Sequence, residues 1–219
     1  MPETLTFYTA RICPYAHRVE LALEEAHANY TKCVIDLQNK PAWYAPRVNL
    51  ASKPSPESVK LTESLVLLEF VADLYPNTHI LPADPVQRAR ARFFVEAVST
   101  KLVPAWMTLL KSGTPESSQA FLNAIDLPPQ GFAIGEYSIA DISVAPFVAR
   151  AHVALGNEIG AYAVGEGKRN LEALHQPRFA RFQKYWADLQ ARPSFQATFN
   201  KDYITEEYKQ RFGNLRAKQ

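Results

Sequence analysis

Strand-forming patterns in this 219-residue chain are confined to its first third, and that asymmetry limits the available folds more than any other feature. Residues 4–9 (TLTFYT) mix β-branched and aromatic residues with partial alternation and predict a short strand. YTKCVIDL, 30–37, predicts a second. Between them the period changes at Pro14: Val19, Ala22, Leu23 and Ala26 recur at helical spacing, with Glu20, Glu24 and Glu25 on other faces. NKPAWYAP, 39–46, reads as a turn or short irregular helix, and SVKL, 58–61, as a candidate third strand. SLVLLEFVADLY, 64–75, is apolar nearly all round, as expected of a helix buried between layers. The turn-forming run YPNTHILPADP, 75–85, then reads as a linker.

Beyond that linker the chain reads as helical. Asp84 and Pro85 supply an N-cap and a first-turn proline for a helix running to about Lys111, with a bend expected at Pro104. A shorter helix follows near 115–126. At YSIADI, 137–142, Ser138 and Asp141 have capping-box spacing, and Tyr137 and Ile142 can form a hydrophobic staple. Residues 170–192 carry one or two more helices before an aromatic tail of Tyr203, Tyr208 and Phe212. The simplest architecture is a small α/β domain over 1–76, a linker over 77–84 and an all-helical domain over 85–219.

Charge narrows the function. Lysine and arginine number 24, aspartate and glutamate 22, spread along the chain for a net +2. That balance gives no electrostatic footprint for nucleic acid or an anionic membrane. The densest basic cluster, QRARAR at 87–92, reads as a solvated helix face. Two cysteines do not make a disulfide scaffold at this length, and no metal-type spacing appears. MPETLTFYTA lacks the features of a signal peptide, and no run approaches the roughly 20 apolar residues of a membrane span. A cytoplasmic protein with free thiols is expected.

One thiol stands out. In TARICPYAHRV, 9–19, Cys13 directly precedes the first residue of the predicted helix. As its N-cap, the sulfur would face the unpaired N–H groups of the first turn, a setting that favours thiolate over thiol. CPYA ends in Ala16, where a dithiol oxidoreductase carries its second thiol. Cys13 is therefore a thiol that exchanges with an external thiol or acts once as a nucleophile, or else an inert residue before a turn. The local sequence leaves both open. His17, one turn on, has a charge the sequence does not fix, and Cys33 reads as a core residue of the second strand.

Four segments resemble the glutathione transferases, in particular the omega class of fungi. RICPYAHR is similar to that class's cysteine motif, and DLQNKPAWY, 36–44, to its segment after the second strand. LTESLVLLEF, 61–70, resembles its Glu-Ser step, and EYSIADISVAPF, 136–147, its helix-capping signature. The resemblance implies a thioredoxin-like α/β domain followed by an all-α domain, glutathione as co-substrate, no metal, and a homodimer. It implies Cys13 as the catalytic nucleophile in thiol transfer, dehydroascorbate reduction or reductive deglutathionylation. It also implies Lys40 on glutathione's glycine carboxylate, and Glu63 and Ser64 on its γ-glutamyl end. Side-chain chemistry agrees, because a serine opening a helix can take a carboxylate with the first-turn N–H groups. Each residue also has a plainer reading: N-cap for Ser64, surface acid for Glu63, solvated loop residue for Lys40. Tyr8, a rival activating residue, reads as packing within the first strand.

The chain departs from the family pattern twice. The family places a cis-proline after valine ahead of the last strand of its first domain; NLASKPSPESVKLTES, 49–64, offers only Pro54 as a counterpart. The backbone of Lys53 would then meet glutathione's cysteinyl portion, and Pro54 and Pro56 cannot both lie inside one strand. FLNAIDLPPQGF, 121–132, is one or two turns shorter than the family's helix. A second functional reading is a non-catalytic ligandin holding apolar or aromatic molecules between the domains, with Tyr15, Trp106, Tyr203 and Tyr208 as candidate pocket walls. The family's chloride-channel relatives are disfavoured, since nothing in 1–40 is apolar enough to span.

Overall fold

The computed structural model describes residues 5–48, 59–125 and 131–216. Strand β1 (Leu5–Thr9), helix α1 (Pro14–Glu25) and strand β2 (Tyr30–Val34) form a parallel unit with Leu5 opposite Tyr30 and Thr9 opposite Val34. Parallel pairing demands a crossover of this kind, and α1 supplies it. The second strand stops short of the expected Leu37 because Asp36 turns the chain, its carboxylate accepting from the Gln38 N–H at 2.8 Å. Helices α2 (Tyr44–Val48) and α3 (Ser64–Leu74) complete this part. The candidate third strand is not seen: Val59–Leu61 has no regular structure, and residue 58 lies outside the described residues. Among the described residues the sheet has two strands, which leaves Cys33 half-buried rather than in the core.

The helix expected from Pro85 to Lys111 divides into α4 (Pro85–Ala97), a π turn (Val98–Leu102) and α5 (Val103–Lys111). Pro104 offers no N–H to the Thr100 carbonyl and its ring crowds that oxygen, so the wider turn forms just upstream. Helix α6 is Pro115–Ala124 and α7 is Ile139–Gly156. The chain continues through α8 (Glu166–Leu174), α9 (Ala180–Gln190), α10 (Pro193–Thr198) and α11 (Lys201–Phe212). The break between α8 and α9 falls at Pro177, which holds Gln176 extended at φ −68° and ψ 153°.

Helix α7 is the axis of the molecule and is buried on almost every side, packed by α1, α4, α8 and α11. Its start carries the expected capping box. Asp141, fully buried, accepts from the N–H groups of Ser138 (2.9 Å) and Ala133 (2.8 Å) and from the Tyr185 hydroxyl (2.8 Å). Two stretches, Pro85–Lys111 and Ile139–Gly156, are long and apolar enough to cross a bilayer, contrary to the reading of the sequence. Burial inside the fold accounts for the second. At the far end of α1, Glu25 takes a two-pronged pair from Arg192, at 2.7 and 2.5 Å, tying the α/β part to the later helices.

Candidate active site

Cys13 occupies the N-cap of α1, extended at φ −74° and ψ 118°, with Pro14 as the first helical residue. Its N–H donates to Ala10 O (2.8 Å) and its carbonyl accepts from His17 N (3.1 Å), so the backbone fixes where the sulfur stands. The sulfur itself makes no cap hydrogen bond. Sulfur is a weak acceptor, and the thiol remains free and half-buried.

What holds the loop is Arg150, on α7 and only 1% exposed. Its Nε donates to Ile12 O (2.9 Å) and its Nη2 to Arg11 O (3.0 Å), the two carbonyls preceding Cys13. Nη1 reaches Pro146 O and His17 Nδ1, both at 3.1 Å. A guanidinium only donates, so Nδ1 accepts and the His17 proton sits on Nε2, which donates to Thr198 Oγ1 at 2.8 Å. The Thr198 hydroxyl in turn donates to Ser194 O (2.7 Å). Burial pushes His17 well below its ordinary value, and the charges of Arg150 and Lys32 push the same way, so the ring is neutral. Charge at Cys13 is felt by Arg18, Arg150 and Tyr208; burial lifts the Tyr208 phenol to about 12.

The second half of the site is the start of α3. Ser64 opens the helix, and Arg18 Nη1 donates to its hydroxyl at 3.4 Å. Arg18 is 2% exposed; its Nε donates to Ser143 O (2.8 Å), beside the turn of α7 that Pro146 interrupts. Glu63 is exposed at the N-cap with φ 70° and ψ 106°, and its side chain makes no cap bond. The structure therefore links Cys13 to Ser64 through α1, with Arg18 touching Ser64 and coupled electrostatically to Cys13.

Other expectations fare differently. Lys40 is exposed, its ammonium 6.0 Å from the centre of the Tyr44 ring. Tyr8 packs against Trp43 and Tyr44, with ring centres at 6.2 and 6.3 Å. Lys53 and Pro54 lie outside the described residues, as do residues 126–130 of the 121–132 segment. Of the four candidate pocket aromatics, Trp106 is a core residue against Phe121, because the helices on both sides close over it. Tyr15 is exposed, with its ring edge-on to Phe147 at 5.1 Å. Tyr208 is buried beside Phe212, and Tyr203 lies beneath the Arg11 guanidinium at 5.9 Å.

Two cavities are evident. An apolar one of about 850 Å³ lies between α4, α7 and α9, walled by Phe93, Phe94, Leu102, Val148 and Phe182 and by none of those four aromatics. A polar one of about 500 Å³ includes Arg11, Glu20, Lys32, Arg150 and Tyr203. The residues missed from sequence are Arg18 and Arg150. The available signal was a charged residue set into an apolar pattern: Arg150 within ISVAPFVARAHVAL, and Arg18 beside Val19 and Ala22 on α1.

Comparison with known proteins bears on this geometry. Residues 7–79 match the family model described as "Glutathione S-transferase, N-terminal domain". Glutathione S-transferase omega-2 of Homo sapiens is 34% identical over 100 residues, covering 44% of this chain, which spans 41% of that protein's length. The crystal structure of glutathione transferase Omega 1C from Trametes versicolor is 52% identical, with a TM-score of 0.93 and all of both chains covered. Omega 2S from the same organism, in complex with 2,4-dihydroxybenzophenone, is 41% identical with a TM-score of 0.88, covering 96% of this chain and 100% of that one. The fold is the one these structures share, a small α/β unit followed by helices. The chain belongs to the glutathione S-transferase family, in its omega class.

Proposed function

We propose that this chain catalyses glutathione-dependent thiol transfer and reductive deglutathionylation, with Cys13 as the nucleophile. The observation that carries this is the thiol itself: free, half-buried, fixed at a helix N-cap, and followed by Ala16 where a resolving cysteine would stand. In the first step the Cys13 thiolate attacks the glutathionyl sulfur of a mixed disulfide. A Cys13–glutathione disulfide forms, and the other thiol leaves and takes up a proton. A second glutathione thiolate then attacks the glutathione sulfur of that disulfide, releasing glutathione disulfide and restoring Cys13. The net exchange consumes one glutathione thiol and the mixed disulfide, and yields the free substrate thiol and glutathione disulfide, with no other reductant. An attack on the sulfur of an activated thioether follows the same path, with the carbon leaving group taking the proton.

In this reading glutathione lies along α1, its γ-glutamyl carboxylate at Ser64 and its ammonium at Glu63. Lys40 and the backbone of Lys53 before Pro54 serve its remaining groups. Exposed Val66, Leu74, Val86 and Phe93 on α3 and α4 supply the apolar face of a homodimer. Turnover of a glutathionylated disulfide by the wild type and by Cys13→Ser tests the reading, and retained activity in the variant would sink it. A second reading, ligand holding, is favoured by the apolar 850 Å³ cavity and by the benzophenone named for the Omega 2S structure. Displacement of a bound dye by 2,4-dihydroxybenzophenone that is insensitive to saturating glutathione would support it; no displacement would count against it.

A further inference from the structure

Arg150 carries a full charge into the middle of α7, where it is 1% exposed. A guanidinium keeps its proton in proteins and has five N–H groups to place. Four of them are spent: Nε on Ile12 O, Nη1 on Pro146 O and His17 Nδ1, and Nη2 on Arg11 O. Every one of these acceptors is neutral. Among the described residues no carboxylate pairs with Arg150. His17 stands where a carboxylate could have faced the guanidinium, and burial, with the Arg150 charge behind it, keeps that ring neutral. Carbonyls solvate a buried guanidinium but leave its charge in place, and a buried charge without a counter-charge is costly.

The anion within reach is Cys13. Arg150 binds the two carbonyls that precede it, and charge at Cys13 acts back on the guanidinium. The other titratable groups around the loop supply no free anion. Burial keeps the Tyr208 phenol of α11 protonated up to about 12, and Glu20, farther along α1, is paired with Lys32. Arg18 is a second cation turned to Ser143 and Ser64, Tyr15 is edge-on to Phe147, and Arg11 lies over the Tyr203 ring. We propose that Arg150 is the positioning residue that keeps Cys13 reactive, holding the Arg11 and Ile12 carbonyls in place and stabilising the thiolate with a charge that no carboxylate cancels. This rests on the reading of Cys13 as nucleophile and adds a source of activation to it. The N-terminus of α1 offers the sulfur about half an elementary charge. Arg150 adds a whole one from the helical part of the chain, in an interior where charges are poorly screened.

The test follows the rate at which iodoacetamide alkylates Cys13, read from the mass of the peptide that carries it, across a pH series. It compares the wild type with Arg150→Gln and His17→Glu, with thermal melts as the check on folding. Arg150→Gln removes the charge and keeps a donor, whereas His17→Glu keeps the arginine and sets a carboxylate against it. In both variants the profile should move to higher pH by about one unit, slowing alkylation about 3- to 10-fold on its acid limb. On the alkaline plateau, where every thiol is ionised, the three proteins should agree within about 3-fold, the remaining difference being intrinsic nucleophilicity. A displaced loop would slow the reaction at every pH, so the plateau separates charge from packing. His17→Glu carries the test if Arg150→Gln does not fold. A profile left in place by either folded variant, or equal slowing at all pH values, overturns the role of Arg150 while leaving Cys13 as the nucleophile. A wild type whose Cys13 is not alkylated at any pH removes that reading and the inference together.

Discussion

The starts of α7 and of α1 and α3 make an instructive contrast. At α7 the chain closes its own helix: Ser138 and Asp141 cap each other's backbone, and the buried Asp141 carboxylate gathers four donors. At α1 and α3 the side chains of the N-cap residues, Cys13 and Glu63, make no cap bond. Each of the two is instead backed by a buried arginine that makes no salt bridge among the described residues, Arg150 behind the Cys13 loop and Arg18 behind Ser64. A closed cap spends its donors on stability, whereas an open one keeps them for a ligand. The candidate site lies where the chain leaves its helices open.

Substitutions at the two kinds of helix start should therefore separate activity from stability. The largest effect is expected at Cys13. Cys13→Ser should lower thiol-transfer turnover by at least about 100-fold while moving stability by less than about 0.5 kcal/mol, as for other changes outside a packed core. Kinetics and chemical denaturation on one preparation check both halves. Asp141→Ala should show the reverse, costing roughly 3 kcal/mol because the donors of Ala133, Ser138 and Tyr185 lose their partner in the interior. Denaturant midpoints measure this, and the folded fraction should keep its specific activity. Ser64→Ala is expected to weaken glutathione by about 5- to 10-fold with little change in stability, the worth of one hydrogen bond to a charged group. If Ser64→Ala unfolds the protein and leaves affinity alone, the contrast fails.

The smallest expected effect is a pH dependence. His17 is held neutral, its native value far below the ordinary 6.5, with burial the main cause. Below pH 6.5 the unfolded chain binds a proton that the native ring refuses. Stability from this group is therefore complete above 6.5 and lost as pH falls. Asp141 works the other way, since burial raises its carboxyl to about 6 and stability from it falls as pH rises from 3.8 to that point. His152, also lowered by burial, adds to the acid loss. Subtracting the stability profile of His17→Gln from that of the wild type isolates His17. The difference should shrink in favour of the variant as pH drops from 6.5 to 5, and a flat difference would contradict the network through Arg150 and Thr198.

Much of this was legible in the sequence because the signals are local. Pro14 after Cys13, Asp84 before Pro85, and Ser138 three residues before Asp141 each mark a helix start within a few residues, and each start is where the sequence put it. The disturbance at Pro104 was legible as well, though it takes the form of a π turn upstream rather than a simple bend. What was not legible is what distant segments do to one another. Arg150 reaches the Cys13 loop across more than 130 positions, and the partners of a buried arginine cannot be read from its neighbours in the chain. Trp106 fails for the same reason: helical spacing says that it faces inward, not whether a cavity or a packed core waits there. Cys13 stands at the N-cap as the sequence placed it, and its sulfur makes no cap hydrogen bond there.

The measurement that tests the account most directly is intact mass after incubation with glutathione disulfide, on the wild type and on Cys13→Ser. The account predicts a single glutathione adduct on the wild type, reversed by reduced glutathione and absent from the variant, with Cys33 unmodified in both. No adduct on the wild type, or one that survives the substitution, would contradict it.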